Sequence, residues 1–454
     1  MEDCDKKLLK YIFNIDENWA KTKEWYEKID DSNYNYNLFP DSFKHINQDE
    51  KAIFTIKFLL LLKKIFDIED INSIDKIVWR NYDFNKIVKN ITDHKDLILS
   101  FLNNNNEIKN YFTYILKFKN YFSLIDKKIR SIVTPIFSEE HFDNLFRCDD
   151  HLTRVLCSIG GSIIYIYLNN REIEETLDIF LKLDIIFFQF FIISYMIIDD
   201  VMDSNNLEKD GKKIFMTWFM NIVNNPEKDV ILDEHTENIM QCILFQKYFL
   251  LFRERYPIAK NVNIYNYVKF MIKILYVSNN IQKKDNISYD EIMEYTFKKS
   301  YVVCFFITLF IKIPINYDNM FNLCKILFLI QLYDDWFDIH KDVLENNYTY
   351  FNLPSWINND FNFDNRVCRL VRSTFLTVED LDEKNNNVKN IILFIMKNVI
   401  LLVFHNHYDK LDNDLIEYFY NYSIFSKNCM KYFDRTSYDQ FSEKLIIRYI
   451  KMIL

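Results

Sequence analysis

Glycine is nearly missing from this 454-residue chain: it occurs three times, at Gly160, Gly161 and Gly211, against a usual share of about 7%. Proline is scarce too, with six residues. Tight turns and bulges draw on those two residue types, so a turn-rich β-architecture is excluded in favour of helices. The eight cysteines form no CxxC pair and no zinc-like spacing, which predicts free thiols in a reducing compartment. No apolar run reaches membrane-spanning length: the longest, Ile185 to Ile198, is broken by Gln189, Ser194 and Tyr195, so no transmembrane segment is expected. The start, "MEDCDKKLLKYIFNIDENW", matches neither a signal nor a transit peptide, which predicts a cytoplasmic or organellar protein. Positive charge is in deficit as well. A formal net charge of −9 and a pI near 5.5 argue against a nucleic-acid partner, and an anionic substrate would need local cations or metals.

What the chain has is apolar residues at helical spacing. They make up 49% of the sequence, with 17% aromatic, enough for a large core. The period recurs in "AIFTIKFLLLLKKIFDI" (52–68), "EETLDIFLKLDIIFFQFFIISYMIIDD" (174–200) and "NLCKILFLIQLYDDWFDI" (322–339), and predicts about a dozen helices or more. Breaks are expected near Pro135, Asn205–Gly211, Pro226, Pro257, Pro314, Pro354 and 382–389. "NNNN" at 103–106 and "NNNVKN" at 385–390 read as loops. The chemical motifs all lie beyond residue 114, so 1–114 reads as an N-terminal helical extension and 115–454 as the domain that carries the chemistry.

Two aspartate clusters stand out. "DDVMD" places Asp199, Asp200 and Asp203 at i, i+1 and i+4, and "DDWFD" repeats the spacing with Asp334, Asp335 and Asp338. On a helix the first and last carboxylates of each cluster share a face, one turn apart. Gathering like charges is unfavourable unless a cation sits among them, and oxygen-only donors suit hard cations such as Mg²⁺, with Mn²⁺ an alternative. One DDxxD alone is weak, because acidic helix ends are often just solvated. Two matched copies, each following an apolar helix able to line a greasy pocket, are far more specific.

With these residues in view, the chain resembles the trans-isoprenyl diphosphate synthases, the farnesyl and geranylgeranyl diphosphate synthase family. "DDVMDSNNLEKDG" corresponds to the family's first aspartate-rich motif and "IQLYDDWFD", with Gln331, to its second. Between them "IQKKD" (Gln282, Asp285) and "KKS" (Lys299, Ser300) match the family's Q-x-x-D and K-T blocks. The four blocks keep the family order over about 135 residues, and "IGGS" at 159–162 falls where the family has G-G-K-x-x-R. The resemblance implies an all-α bundle around a deep apolar cavity, with both aspartate helices at its mouth.

It also implies a reaction: metal-assisted ionisation of an allylic diphosphate, followed by condensation with isopentenyl diphosphate. Asp199, Asp200, Asp203, Lys299 and Asp334 would be catalytic, and Asp199, Asp203, Asp285, Asp334 and Asp338 would bind the metals. Lys209, Gln282, Lys299, Ser300 and Gln331 would contact substrate, with Ser194 and Tyr195 in the floor of the cavity. The second diphosphate site departs from the family pattern. Its lysine and arginine become Ser162 and Tyr165, an arginine appears as Asp210, and the lysine-bearing loop after the second motif is reduced to "IHKDVLENNYTYF". Three readings follow: a divergent synthase, a terpene synthase-like lyase that needs no isopentenyl diphosphate, and an inactive paralogue acting as a partner subunit. Homodimer and heteromer both stay open. His405 and His407, two apart, would point to different helix faces and read as packing residues.

Overall fold

The computed structural model describes residues 9–29, 38–65 apart from 42 and 44, 209–232, 240–308 apart from 283 and 285, 317–353, 363–381 and 410–423, with scattered positions in 89–96 and 389–407. Among the described residues every regular element is a helix and none is a strand. The helices are α1 (Ile15–Glu27), α2 (Gln48–Ile65), α3 (Lys209–Asn224), α4 (Met240–Arg255), α5 (Val262–Ile281), α6 (Tyr289–Thr308), α7 (Tyr317–Phe337), α8 (Ile339–Glu345), α9 (Phe363–Glu379) and α10 (Asn413–Tyr422). The breaks at Pro226 and Pro257 fall between helices as expected. The break at 205–211 is shorter at its far end, because α3 starts at Lys209 and takes Gly211 into its first turn. No described helix is long and apolar enough to cross a membrane.

The chain divides into two compact units, residues 1–26 with 124–358 and residues 27–123 with 359–454. In the first, α5, α6 and α7 run antiparallel in sequence. The Tyr267 hydroxyl near the start of α5 donates to the Val302 carbonyl near the end of α6 at 2.8 Å, and Thr296 early in α6 meets Asp335 late in α7. Helix α6 opens with a capping box: Ser288 Oγ accepts from the Glu291 backbone N–H at 3.2 Å, and Glu291 Oε2 accepts from the Ser288 N–H at 3.0 Å. Ile287 and Ile292, on either side of the cap, pack in one apolar cluster with Ile281 and Leu353, the staple that fixes the entry angle of a helix.

Helix α1 lies against this layer. Trp19 packs on Phe297 and Phe328 with ring centroids 5.4 and 5.8 Å away, and Tyr26 meets Phe328 edge-on at 5.3 Å. Buried Asn18 donates to the Tyr301 hydroxyl at 2.9 Å. At the rim Asp16 pairs with Lys298 at 2.6 Å and Lys23 with Asp290 at 2.7 Å. Residues 15–26 are therefore part of the core that carries the second aspartate cluster.

The second unit gathers α2, α9 and α10 around aromatic rings. Phe39 touches Phe375, Phe419 and Tyr422. Asp412 caps α10 by accepting from the Leu415 N–H at 2.8 Å, and its own N–H donates to Asp364 at 3.2 Å. Lys51 on α2 is buried, and its ammonium donates to the Tyr420 carbonyl. Cys242 and Cys324 of the first unit and Cys368 of the second are buried and form no disulfide.

Candidate diphosphate and metal site at the end of α7

Helix α7 buries Leu323, Leu327, Phe328, Leu332, Tyr333 and Trp336, and it delivers Asp334 and Asp335 at its C-terminal end. The partial negative charge of the helix end already opposes carboxylates there. The i→i−4 hydrogen bonds continue through the junction into α8: the Asp338 N–H donates to the Asp334 carbonyl and the Asp342 N–H to the Asp338 carbonyl, both at 2.9 Å. These two bonds span the joint and set Asp334, Asp338 and Asp342 at successive i+4 positions across it. Asp338 sits at the joint with φ −90° and ψ 7°, and its side chain does not cap α8.

The carboxylates differ in surroundings. Asp334 is exposed and Asp335 is buried. The Gln331 amide donates to both, to Asp334 at 2.9 Å and to Asp335 at 3.2 Å, and Thr296 makes a long contact with Asp335 at 3.5 Å. Burial, then the charge of Asp334, pushes the Asp335 carboxyl up to about 7 against the pull of Gln331 and Lys299. Burial, then the charges of Asp335, Asp338 and Asp334, pushes Asp342 up to about 8, with Lys299 again opposing. Four carboxylates thus act on one another, and Lys299 of α6 is the cation whose charge reaches both raised groups.

Neighbouring lysines on α6 serve different ends. Lys298 is buried and pairs with Asp16 at 2.6 Å and Glu294 at 2.5 Å, whereas the charge of Lys299 bears on the aspartates. The Ser300 hydroxyl is bonded within α6, to the Phe297 carbonyl at 3.0 Å and the Thr296 carbonyl at 3.4 Å. Gln282 ends α5: its N–H donates to Ser278 at 3.1 Å, and its carbonyl accepts from the Tyr348 N–H at 2.9 Å. That last bond joins the "IQKKD" turn to the segment that follows the second aspartate cluster.

That segment, read from sequence as a shortened loop, is helix α8 followed by a closed turn. Asn346 is left-handed (φ 55°), the one positive-φ non-glycine among the described residues. The Asn347 N–H donates to the Asp342 carbonyl at 2.8 Å and the Asn346 N–H to the Val343 carbonyl at 3.4 Å, the pairing of a Schellman cap. Asn352 then locks residues 347–352, accepting from the Thr349 N–H at 2.6 Å and donating to the Asn347 carbonyl at 2.8 Å. Asparagine here does the work that glycine does elsewhere, since it tolerates the left-handed region better than other side chains.

Of the residues expected at the site, Lys299, Gln331, Asp334 and Asp338 come together around the end of α7. Gln282 is held through its backbone at the end of α5, and the Ser300 hydroxyl is bonded within α6. Lys209 begins α3 with its side chain outside the described set, and Asp199, Asp200, Asp203, Asp285, Ser194 and Tyr195 lie outside the described residues. The buried member Asp335, Thr296 beside it and the added carboxylate Asp342 were not assigned roles from sequence. For Asp342 the signal was present: it extends the i+4 spacing of Asp334 and Asp338. Among the described residues no three His, Cys, Asp or Glu side chains are placed to hold one metal ion. Mg²⁺ commonly takes one or two carboxylates and completes its shell with water and phosphate oxygens, so the all-oxygen donor set here suits such an ion. No family model, curated protein or solved structure matches the chain.

Proposed function

We propose that the chain is a divergent prenyl diphosphate synthase-like protein that ionises an allylic diphosphate and condenses it with isopentenyl diphosphate. The observation that carries this reading is the end of α7, where Asp334, Asp335, Asp338 and Asp342 crowd together with Lys299 as the opposing cation. So much carboxylate in one electrostatic field favours binding a hard divalent cation. Bound divalent cations would supply the positive charge that holds a diphosphate and stabilises its departure.

In this reading Asp334 and Asp338 hold metal from the α7 side. Asp199, Asp203 and Asp285 hold it from the other side, with Asp200 beside them. Gln331 orients Asp334 and Asp335, and Lys299 and Lys209 face the diphosphate oxygens. Ser194 and Tyr195 set the depth of the hydrocarbon cavity. Mg²⁺, or Mn²⁺, is the cofactor.

A second reading, a lyase that ionises an allylic diphosphate and quenches it without isopentenyl diphosphate, is favoured by the missing cations of the second diphosphate site. Ser162, Tyr165 and Asp210 stand where cations would be needed, and the asparagine-closed turn after α8 carries no lysine in 346–353. Losing a bidentate arginine and a lysine removes most of the charge that offsets desolvating a diphosphate.

The deciding experiment incubates the purified protein and Mg²⁺ with dimethylallyl, geranyl or farnesyl diphosphate, with and without isopentenyl diphosphate. Longer diphosphates formed only with isopentenyl diphosphate support the synthase. Hydrocarbon and free diphosphate formed without it support the lyase. Absence of both, from folded protein beside active controls, overturns both in favour of a non-catalytic partner subunit.

A further inference from the structure

Helix α2 carries an apolar stripe on its solvent face. Ile53, Ile56 and Leu60 are 55%, 59% and 45% exposed, at i, i+3 and i+7, while Lys51 on the opposite side is 2% exposed. A helix at the surface of a single chain normally turns its polar side outward. At about 100° per residue, Asp49, Ile53, Ile56, Lys57, Leu60 and Lys64 all fall within an arc of about 100°. Asp49, Lys57 and Lys64 are exposed on that arc as well.

We propose that this face of α2 is the contact between two copies of the chain, with the two helices antiparallel about a two-fold axis. The charge order along the stripe selects this occupant. It runs from acid (Asp49) through three aliphatic residues to base (Lys64). Laid antiparallel on its own copy, position 49 falls opposite 64, position 53 opposite 60, and the two Ile56 residues meet near the axis. Each contact then occurs twice, as an isologous interface requires: two Asp49–Lys64 pairs flank two Ile53–Leu60 pairs. A parallel copy would set Asp49 on Asp49 and Lys64 on Lys64, which is repulsive. An anionic membrane would meet Asp49 and Glu50 on the same helix and a net charge of −9. The inference stands on α2 alone and is independent of the reaction proposed above.

The test is sedimentation velocity or size-exclusion light scattering of the full chain over a range of concentrations. The wild type should pass from one chain to two. Asp49→Lys should move the midpoint to about tenfold higher concentration, because it places lysine opposite Lys64. Lys64→Asp should do the same by placing aspartate opposite Asp49. The two single variants mixed, and the double variant alone, should each recover the wild-type midpoint, since both restore opposite charges across the axis. Ile56→Glu should leave a single chain. All these positions are exposed, so far-UV circular dichroism should be unchanged. A wild type that stays monomeric, including one that binds anionic phosphatidylserine vesicles as a monomer, overturns the proposal. So does a dimer indifferent to the single charge reversals or not recovered by the double one.

Discussion

One amide holds two acids together: the Gln331 side-chain nitrogen donates to Asp334 at 2.9 Å and to Asp335 at 3.2 Å, tying the exposed carboxylate of the pair to the buried one. Removing the donor leaves adjacent carboxylates repelling with less compensation, so protons should be held more tightly. Gln331→Leu should therefore weaken Mg²⁺-dependent binding of an allylic diphosphate analogue about tenfold or more at pH 7, the scale of a hydrogen bond to a charged group. Titration calorimetry checks it, and the deficit should shrink at pH 8.5, where the aspartates ionise regardless.

The same cluster makes stability depend on pH. Asp335 is raised to about 7 and Asp342 to about 8, in each case chiefly by burial. Between the ordinary carboxylate range near pH 4 and those values, the folded protein keeps protons that the unfolded chain releases. The stability they contribute is present at low pH and lost as pH rises through about 7 to 8. In EDTA, thermal unfolding should move to lower temperature from pH 6 to 8.5 by several degrees, and Asp335→Asn should flatten that slope. Millimolar Mg²⁺ should recover part of the loss at the high end, because a bound cation favours the ionised carboxylates.

Lys298 and Lys299 are adjacent, yet their substitutions should separate. Lys298→Met removes the pair with Asp16 and should lower unfolding free energy by about 1 kcal/mol, since its partner is largely exposed, with little change in diphosphate affinity. Lys299→Met should do the reverse, costing at least about tenfold in diphosphate affinity. Denaturant midpoints and calorimetry on both variants read the two effects independently. If both lysines altered stability alone, Lys299 would have no place at the diphosphate.

The turn after α8 should be sensitive to backbone chemistry. Asn346→Gly should be neutral or slightly stabilising, whereas Asn346→Val, forced into a left-handed conformation, should cost about 1–2 kcal/mol. Ser288→Ala, which removes the capping-box acceptor of α6, should cost about 1 kcal/mol. Amide exchange at Tyr348, bonded to the Gln282 carbonyl, should report loosening in both.

The class of fold was legible because scarcity of glycine and proline leaves few ways to build sheets, and because the apolar period of 322–339 persists through a helix that the structure closes at Phe337. The breaks at Pro226 and Pro257 were legible for the same local reason. Asp334 and Asp338 could be picked out because their spacing is a helical spacing, whereas Lys299 and Gln331 were found only through the resemblance of their short blocks to a known family. Other features depend on partners distant in the chain. The burial of Asp335 follows from α6 packing on α7, and the packing of α1 follows from Trp19 finding Phe297 and Phe328. The helix over 339–345 was obscured by its short length and by the asparagines after it, which act as a cap in three dimensions.

The place of α1 bears on how the protein is made. Asn18 bonds Tyr301 across 283 residues of sequence, and Trp19 waits for rings that leave the ribosome equally late. At about 5–20 residues per second, the first helix spends roughly 15–60 s outside its final setting, with Ile12, Trp19 and Tyr26, all buried in the finished fold, uncovered. A shortened protein beginning near residue 115 would never fill that gap. Expression of such a fragment is expected to yield aggregate, and adding the first 26 residues as a separate peptide is the natural way to rescue it.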